Sequence, residues 1–324
     1  MSTLFELYVR LFGLAFIGFI LGRKLPATVP KRLGQLLFWI GVPISIVAFL
    51  RKTDLSGQIW IAPGIAFSAI FFGAFLCWLV IFFKKSLTHT VLHKSTQGSL
   101  LLAAMVGNTG YLGYPVILSV VGTQYFAWAL FYDLLGTTLG AYGFGVALAA
   151  RYGDIVSNPV GKTDTITNSN VRSIHNHWNV VKAILINPAL WSFGLGLLVR
   201  QITLPPLVVS CLDVFAWGAI AASLILIGMR LSKLSSWGSL KLASVSLAIK
   251  MIIVPIILGV SLSSFGLTGK TAQVLVLQMG MPPAFATLVL AETFNLDREL
   301  AVTALAVGSM ILLITLPIWL WFFR

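Results

Sequence analysis

Ten apolar stretches, each about as long as a bilayer is thick, follow one another along this 324-residue chain and leave little of it for anything else. A hydrocarbon core about 30 Å thick takes about 20 mostly apolar residues as a helix. Inside it every backbone N–H and C=O must find a partner within the protein, which helices do and irregular chain does not. Cut at charge clusters and at Gly/Pro turns, the spans fall at residues 3–22, 32–50, 58–83, 97–121, 123–150, 181–200, 206–229, 238–262, 269–292 and 298–322. With 58% hydrophobic residues, 10% charged residues and a mean hydropathy of +0.96, the chain has too little polar surface for a soluble globule. The expected fold class is an all-α polytopic membrane protein with ten transmembrane helices. The first segment shows no separable charged leader and small-residue cleavage site, so it is expected to stay as a helix. Cys77 and Cys211 both fall inside spans and are expected as buried thiols without a metal-ligand spacing.

One connection is long. The polar stretch RYGDIVSNPVGKTDTITNSNVRSIHNHWN divides the chain into residues 1–150, a first set of five spans, residues 151–180, a loop, and residues 181–324, a second set of five. Lys and Arg crowd the connections after spans one, three, five, seven and nine, with Arg23, Lys24, Lys31 and Arg32 in the first and Arg230 counted at the seventh. By the positive-inside rule that side is cytoplasmic, the central loop with it, and both termini lie on the non-cytoplasmic side of a cell membrane. The net charge of +13 is thereby spread over short loops. No folded basic domain is left to bind nucleic acid, and the bilayer itself is the expected partner.

An odd number of crossings inverts the second half relative to the first. Phe12-Gly13-Leu14 leading to Leu25-Pro26 is echoed by Phe193-Gly194-Leu195 leading to Leu204-Pro205, as two inverted five-helix repeats would show. Spans four and nine add a matched interruption. GNTGYLGYPV (107–116) carries Gly107, Gly113 and Pro115, and QMGMPPAFA (278–286) carries Pro282 and Pro283. Proline removes a backbone donor and clashes with the preceding turn, and glycine lowers helix preference. Broken backbone at membrane depth implies a lined cavity, and matched breaks in two inverted halves point to broken, crossing helices around a transporter's site. Helix starts facing such a cavity present free amides and favour an anion. Asn108, Thr109, Gly110, Tyr111, Gln278 and Pro282 are therefore the expected substrate-binding residues, with Tyr114 expected to pack.

Asp133 and Lys250 are the charges expected deepest in the membrane, each roughly 16 Å along its helix at 1.5 Å per residue. Intramembrane ionisable groups usually mark a pathway. Two readings are open: as fixed structural parts they neutralise each other or hydrogen-bond freed backbone at the crossover, or they compete for each other and for a proton or a substrate carboxylate and couple transport to protons. Asp213 is expected near the outer end of span seven, Glu292 at the end of span nine, and Glu6 and Arg10 as a local pair. The His175-Asn176-His177-Trp178 run lacks further ligands, so no metal and no cofactor is expected. With no convergent catalytic set among the deep residues, an enzyme is not expected.

GNTGYLGYPV, Asp133 within FYDLLGTTLGAYGFG, and QMGMPPAFATLVLAETFNLD resemble the fourth, fifth and ninth spans of the auxin efflux carrier family, and the likeness extends over essentially the whole chain. The resemblance implies the inverted-repeat fold shared with sodium/proton antiporters and bile-acid transporters, a scaffold and a transport domain, homodimers, and elevator-like alternating access. It implies a small organic anion as substrate, either an auxin-like indole acid or malate or malonate, carried by a secondary active or facilitative transporter. The alternative is a sodium- or proton-coupled antiporter or symporter of the same fold, or a transporter-derived sensor. Two departures stand out. The central loop is short, and the third span, IWIAPGIAFSAIFFGAFLCWLVIFF, lacks the charged residues that the plant exporters carry there.

Overall fold

The computed structural model describes residues 2–26, 28–55, 57–88, 91–153, 188–232 and 239–323, with the backbone alone at 2–8, 10, 11, 87 and 88. The Glu6–Arg10 pair and the His175–His177 run lie outside the side chains described. The described residues are helical: α1 (Ser2–Lys24), α2 (Thr28–Leu50), α3 (Ile61–Thr88), α4 (Lys94–Met105), α5 (Tyr114–Val120), α6 (Thr123–Tyr152), α7 (Pro188–Val199), α8 (Pro206–Leu231), α9 (Leu240–Phe265), α10 (Gly269–Met279), α11 (Phe285–Thr293) and α12 (Arg298–Phe322). Among them α2, α3, α6, α8, α9 and α12 are each long and apolar enough to cross a membrane. The chain is a multi-pass membrane protein.

Two groups of helices organise the packing. One is α1, α2, α7 and α8; the other brings α3 to α6 together with α9 to α12. In the first group glycine sets the distance between helices. A Cβ at Gly228 would fall on the carbonyl oxygen of Ala15, and one at Gly18 on that of Ile225, so α1 and α8 touch backbone to backbone. Gly18 and Gly22 are four apart and share that face. Lipid offers no hydrophobic drive for helices to associate, so small residues that permit close approach supply the attraction through packing.

Proline explains much of the local irregularity. The π-helical turns Leu37–Gly41 and Ile249–Ile253 stand just before Pro43 and Pro255. A proline inside a helix lacks the N–H that the carbonyl four residues back would accept, and a π turn widens the helix enough to take the ring.

At the end of α2, Lys52 pairs with Asp213 of α8 at 2.6 Å, both partly exposed. Exposed pairs contribute under about 1 kcal/mol. Asp213→Asn should therefore shift the thermal midpoint by about 3 °C or less, and a larger loss would show a role beyond this pairing. Glu292 pairs with Arg298 at 2.6 Å. Cys77 is buried as expected, but Cys211 is exposed. It lies on the face of α8 that also carries exposed Leu207 and Val214, each one turn away.

Candidate binding site at the helix crossing

Helix α4 stops at Met105, and Val106-Gly107-Asn108 run extended before a π-helical turn, Thr109–Gly113, leads into α5. Helix α10 stops at Met279, and the chain re-enters helix at α11. The two non-helical stretches pair antiparallel at Gly107 and Pro283. The Asn108 amide donates to the Pro282 carbonyl at 2.7 Å, and the Ala284 amide donates to the Val106 carbonyl at 2.9 Å. Each break thus satisfies the other's freed groups, which neither can do alone in a membrane. Pro282 and Pro283 have no N–H, so this stretch meets its partner through the Pro282 carbonyl and the Ala284 amide. Gly107 is also closely packed, since a Cβ there would sit 3.1 Å from Lys250 Cε and 3.3 Å from the Met281 carbonyl oxygen.

Two residues expected at the break lie beyond it. Gly113 ends the π turn and Pro115 is in the first turn of α5. Pro115 follows the π turn by two residues, as Pro43 and Pro255 follow theirs, so the widened turn takes its ring inside the restarted helix and the break itself lies before it. Gly113 is required by contact: a Cβ there would fall on Gln278 Oε1 and 3.0 Å from its Cδ. Gln278 is fully buried and donates through Nε2 to the Ala129 carbonyl at 3.2 Å, tying α10 to α6. Its Oε1 has no hydrogen-bond partner.

Asp133 sits in the π-helical stretch Tyr132–Thr138 of α6, buried against the restart of span four. Its carboxylate accepts from the hydroxyl of Thr109 and from that of Tyr114, the latter at 2.7 Å. Gly110 leaves room for it, since a Cβ would meet Asp133 Oδ2 at 3.1 Å. Tyr114 does pack, its ring edge-on to Phe126 at 5.0 Å, but its polar tip belongs to Asp133. Hydrogen bonds to a charged group contribute about 1.5–3 kcal/mol. Tyr114→Phe should lower the thermal midpoint by several degrees without displacing the ring; an unchanged midpoint would mean the hydroxyl contributes nothing.

Lys250 is buried in the π turn of α9, beside Gly107. No ion pair joins it to Asp133, whose oxygens are engaged elsewhere, so mutual neutralisation does not describe this structure. The Asn108 side chain, also buried, has no hydrogen bond to any described residue.

One residue was passed over in the sequence. Arg230, counted there as a loop charge, lies in the last turn of α8. Its guanidinium stands 4.0 Å over the Phe285 ring and 5.9 Å from the Tyr111 ring, one residue from each re-entering segment. The available signal was periodicity, since Arg230 continues the face of Ser223 and Leu226, both buried.

A profile of the family described as Membrane transport protein matches residues 3–320. The chain belongs to this family. The motif resemblance to auxin efflux carriers is thereby shown. An uncharacterized transporter of Methanocaldococcus jannaschii is 24% identical over 294 residues, covering 90% of this chain and 89% of that one. An uncharacterized transporter of Methanothermobacter thermautotrophicus is 27% identical over 225 residues, covering 69% and 67%. Both relatives are named as transporters, and membership of the family makes this chain a membrane transporter. Among its described residues no group of three His, Cys, Asp or Glu side chains could hold a metal ion.

Proposed function

We propose that this membrane transporter is a secondary carrier of small organic anions, and that the helix crossing is where the anion binds. The antiparallel pairing of Val106–Asn108 with Pro282–Ala284 carries the reading, because it holds two helix starts, at Thr109 and Phe285, beside each other. Helix starts present unsatisfied amides and a partial positive charge, and a carboxylate suits both. Lys250 adds a cation at Gly107, and the Asn108 side-chain amide, with no hydrogen bond to any described residue, offers a donor. Thr109, Gly110 and Tyr111 line the restart, while Gln278 and Pro282 support the wall opposite. Ten crossings arranged as two inverted repeats, with α1, α2, α7 and α8 as scaffold and the other group moving as an elevator in each protomer of a homodimer, complete the proposal. Both termini lie outside.

Asp133 carries a coupled proton in this reading. A binding screen of purified protein by thermal shift against indole-3-acetate, malate and malonate across pH tests the anion. At least one carboxylate should stabilise the protein, with an affinity lowered about tenfold by Asn108→Ala, the equivalent of one hydrogen bond to a charged group. Choline in place of sodium should leave that binding unchanged. Stabilisation by none of the carboxylates, or only with sodium present, would contradict the reading.

A further inference from the structure

We propose that Arg230 is the specificity-determining residue that selects a carboxylate over its uncharged analogues, an inference that rests on the organic-anion reading above. Stacking on an aromatic ring uses the face of a guanidinium. Its five N–H donors lie in the plane and stay available, in the fork geometry that matches a carboxylate. With its central carbon 4.0 Å over the Phe285 ring and 5.9 Å from that of Tyr111, the Arg230 guanidinium is held against the two segments that leave the crossing. Nothing described in the protein takes up those donors: Arg230 makes no hydrogen bond or ion pair to any described residue. Asp133 and Glu292, on the segments around the crossing, are engaged elsewhere, Asp133 by Thr109 and Tyr114 and Glu292 by Arg298.

A partly buried guanidinium without a counter-ion is costly to keep, and a substrate carboxylate would relieve that cost. The surroundings are shaped for this head group. A Cβ at Gly34 of α2 would lie 2.7 Å from Arg230 Nη2, so glycine there leaves the guanidinium its place. Arg230 also comes from the α1, α2, α7 and α8 group, whereas Tyr111 and Phe285 belong to the other. It therefore meets the anion across the boundary between the two groups.

The test compares each acid with its own amide, indole-3-acetate with indole-3-acetamide and malonate with malonamide, on full-length protein by thermal shift and equilibrium binding. Wild type should bind one acid at least about tenfold more tightly than its amide, as expected where a charged pair is made. Arg230→Gln should bring that ratio close to one by weakening the acid and leaving the amide alone, and Arg230→Lys should restore part of it. Gly34→Ala, which keeps the charge and displaces the guanidinium, should lower the ratio too and serves if Arg230→Gln does not fold. Equal loss for acid and amide would assign Arg230 a structural role, and an unchanged ratio would remove it from recognition. Either result overturns this inference alone. Failure of wild type to bind either acid overturns the organic-anion reading and this inference with it.

Discussion

Replacing Gly228 with valine should prevent α1 from docking on α8 and leave a protein that no longer runs as a single species in detergent. The added Cβ would fall on the Ala15 carbonyl oxygen and lie 2.7 Å from both Ala15 C and Phe19 N. These are backbone atoms, so no rotamer change relieves them and the helices must separate. An extra methylene in a packed core costs about 1–3 kcal/mol where side chains can yield, and here they cannot. Separation would also forfeit the close contacts at Gly18 and Gly22, on which the association of helices in lipid depends. A loss of about 10 °C or more in the thermal midpoint is expected. Gly218, on the same helix with nothing within 4 Å of an added Cβ, is the control. Gly218→Ala should fold like wild type, as a glycine exchanged for alanine in an unobstructed helix does. Equal behaviour of the two variants would show that the α1–α8 contact is looser than described.

The second large effect concerns Asp133. Asp133→Ala should both destabilise the protein and stop transport, because the Thr109 and Tyr114 hydroxyls lose their acceptor inside the protein. A buried donor left unsatisfied costs about 1–3 kcal/mol, and here there are two. The same change unties α6 from the segment that restarts after the crossing. Asp133→Asn separates the two consequences. Its amide oxygen accepts from one hydroxyl and its NH2 donates to the oxygen of the other, so the fold should survive with a midpoint near that of wild type, while the site no longer takes up or releases a proton. Uptake by this variant should cease to respond to an imposed pH gradient. Full activity with Asp133→Ala would remove the residue from the mechanism, and an intact pH response with Asp133→Asn would move proton coupling elsewhere.

How much of this was legible in the sequence depended on what kind of physics each feature obeys. Span lengths are set by bilayer thickness and appear directly as apolar runs, so the six helices long and apolar enough to cross a membrane fall close to the expected limits. That spans four and nine are interrupted was also readable. Where span four breaks was not: Pro115 drew attention as a helix breaker, yet the break is at Val106–Asn108 and the proline lies within the helix that restarts at Thr109. Proline's effect depends on whether the turn before it can widen to take the ring, and a π turn does so ahead of Pro115. Asp133 and Lys250 were recognised as buried because intramembrane charge is rare, but their partners are tertiary facts. Only the fold shows that Asp133 faces two hydroxyls from span four while Lys250 faces a glycine. Arg230 was lost to an orientation rule that counts basic residues at helix ends and does not ask which way they face.

The most direct test of the crossing as a substrate site is counterflow in proteoliposomes loaded with the carboxylate that stabilises the purified protein. Wild type should show saturable uptake of labelled substrate, accelerated by unlabelled substrate inside. Asn108→Ala should fold normally and raise the half-saturating concentration about tenfold, the loss of one hydrogen bond to a charged ligand. Uptake that does not saturate, or an Asn108→Ala variant that fails to fold while its residual uptake keeps the wild-type half-saturation, would contradict a binding site at the crossing.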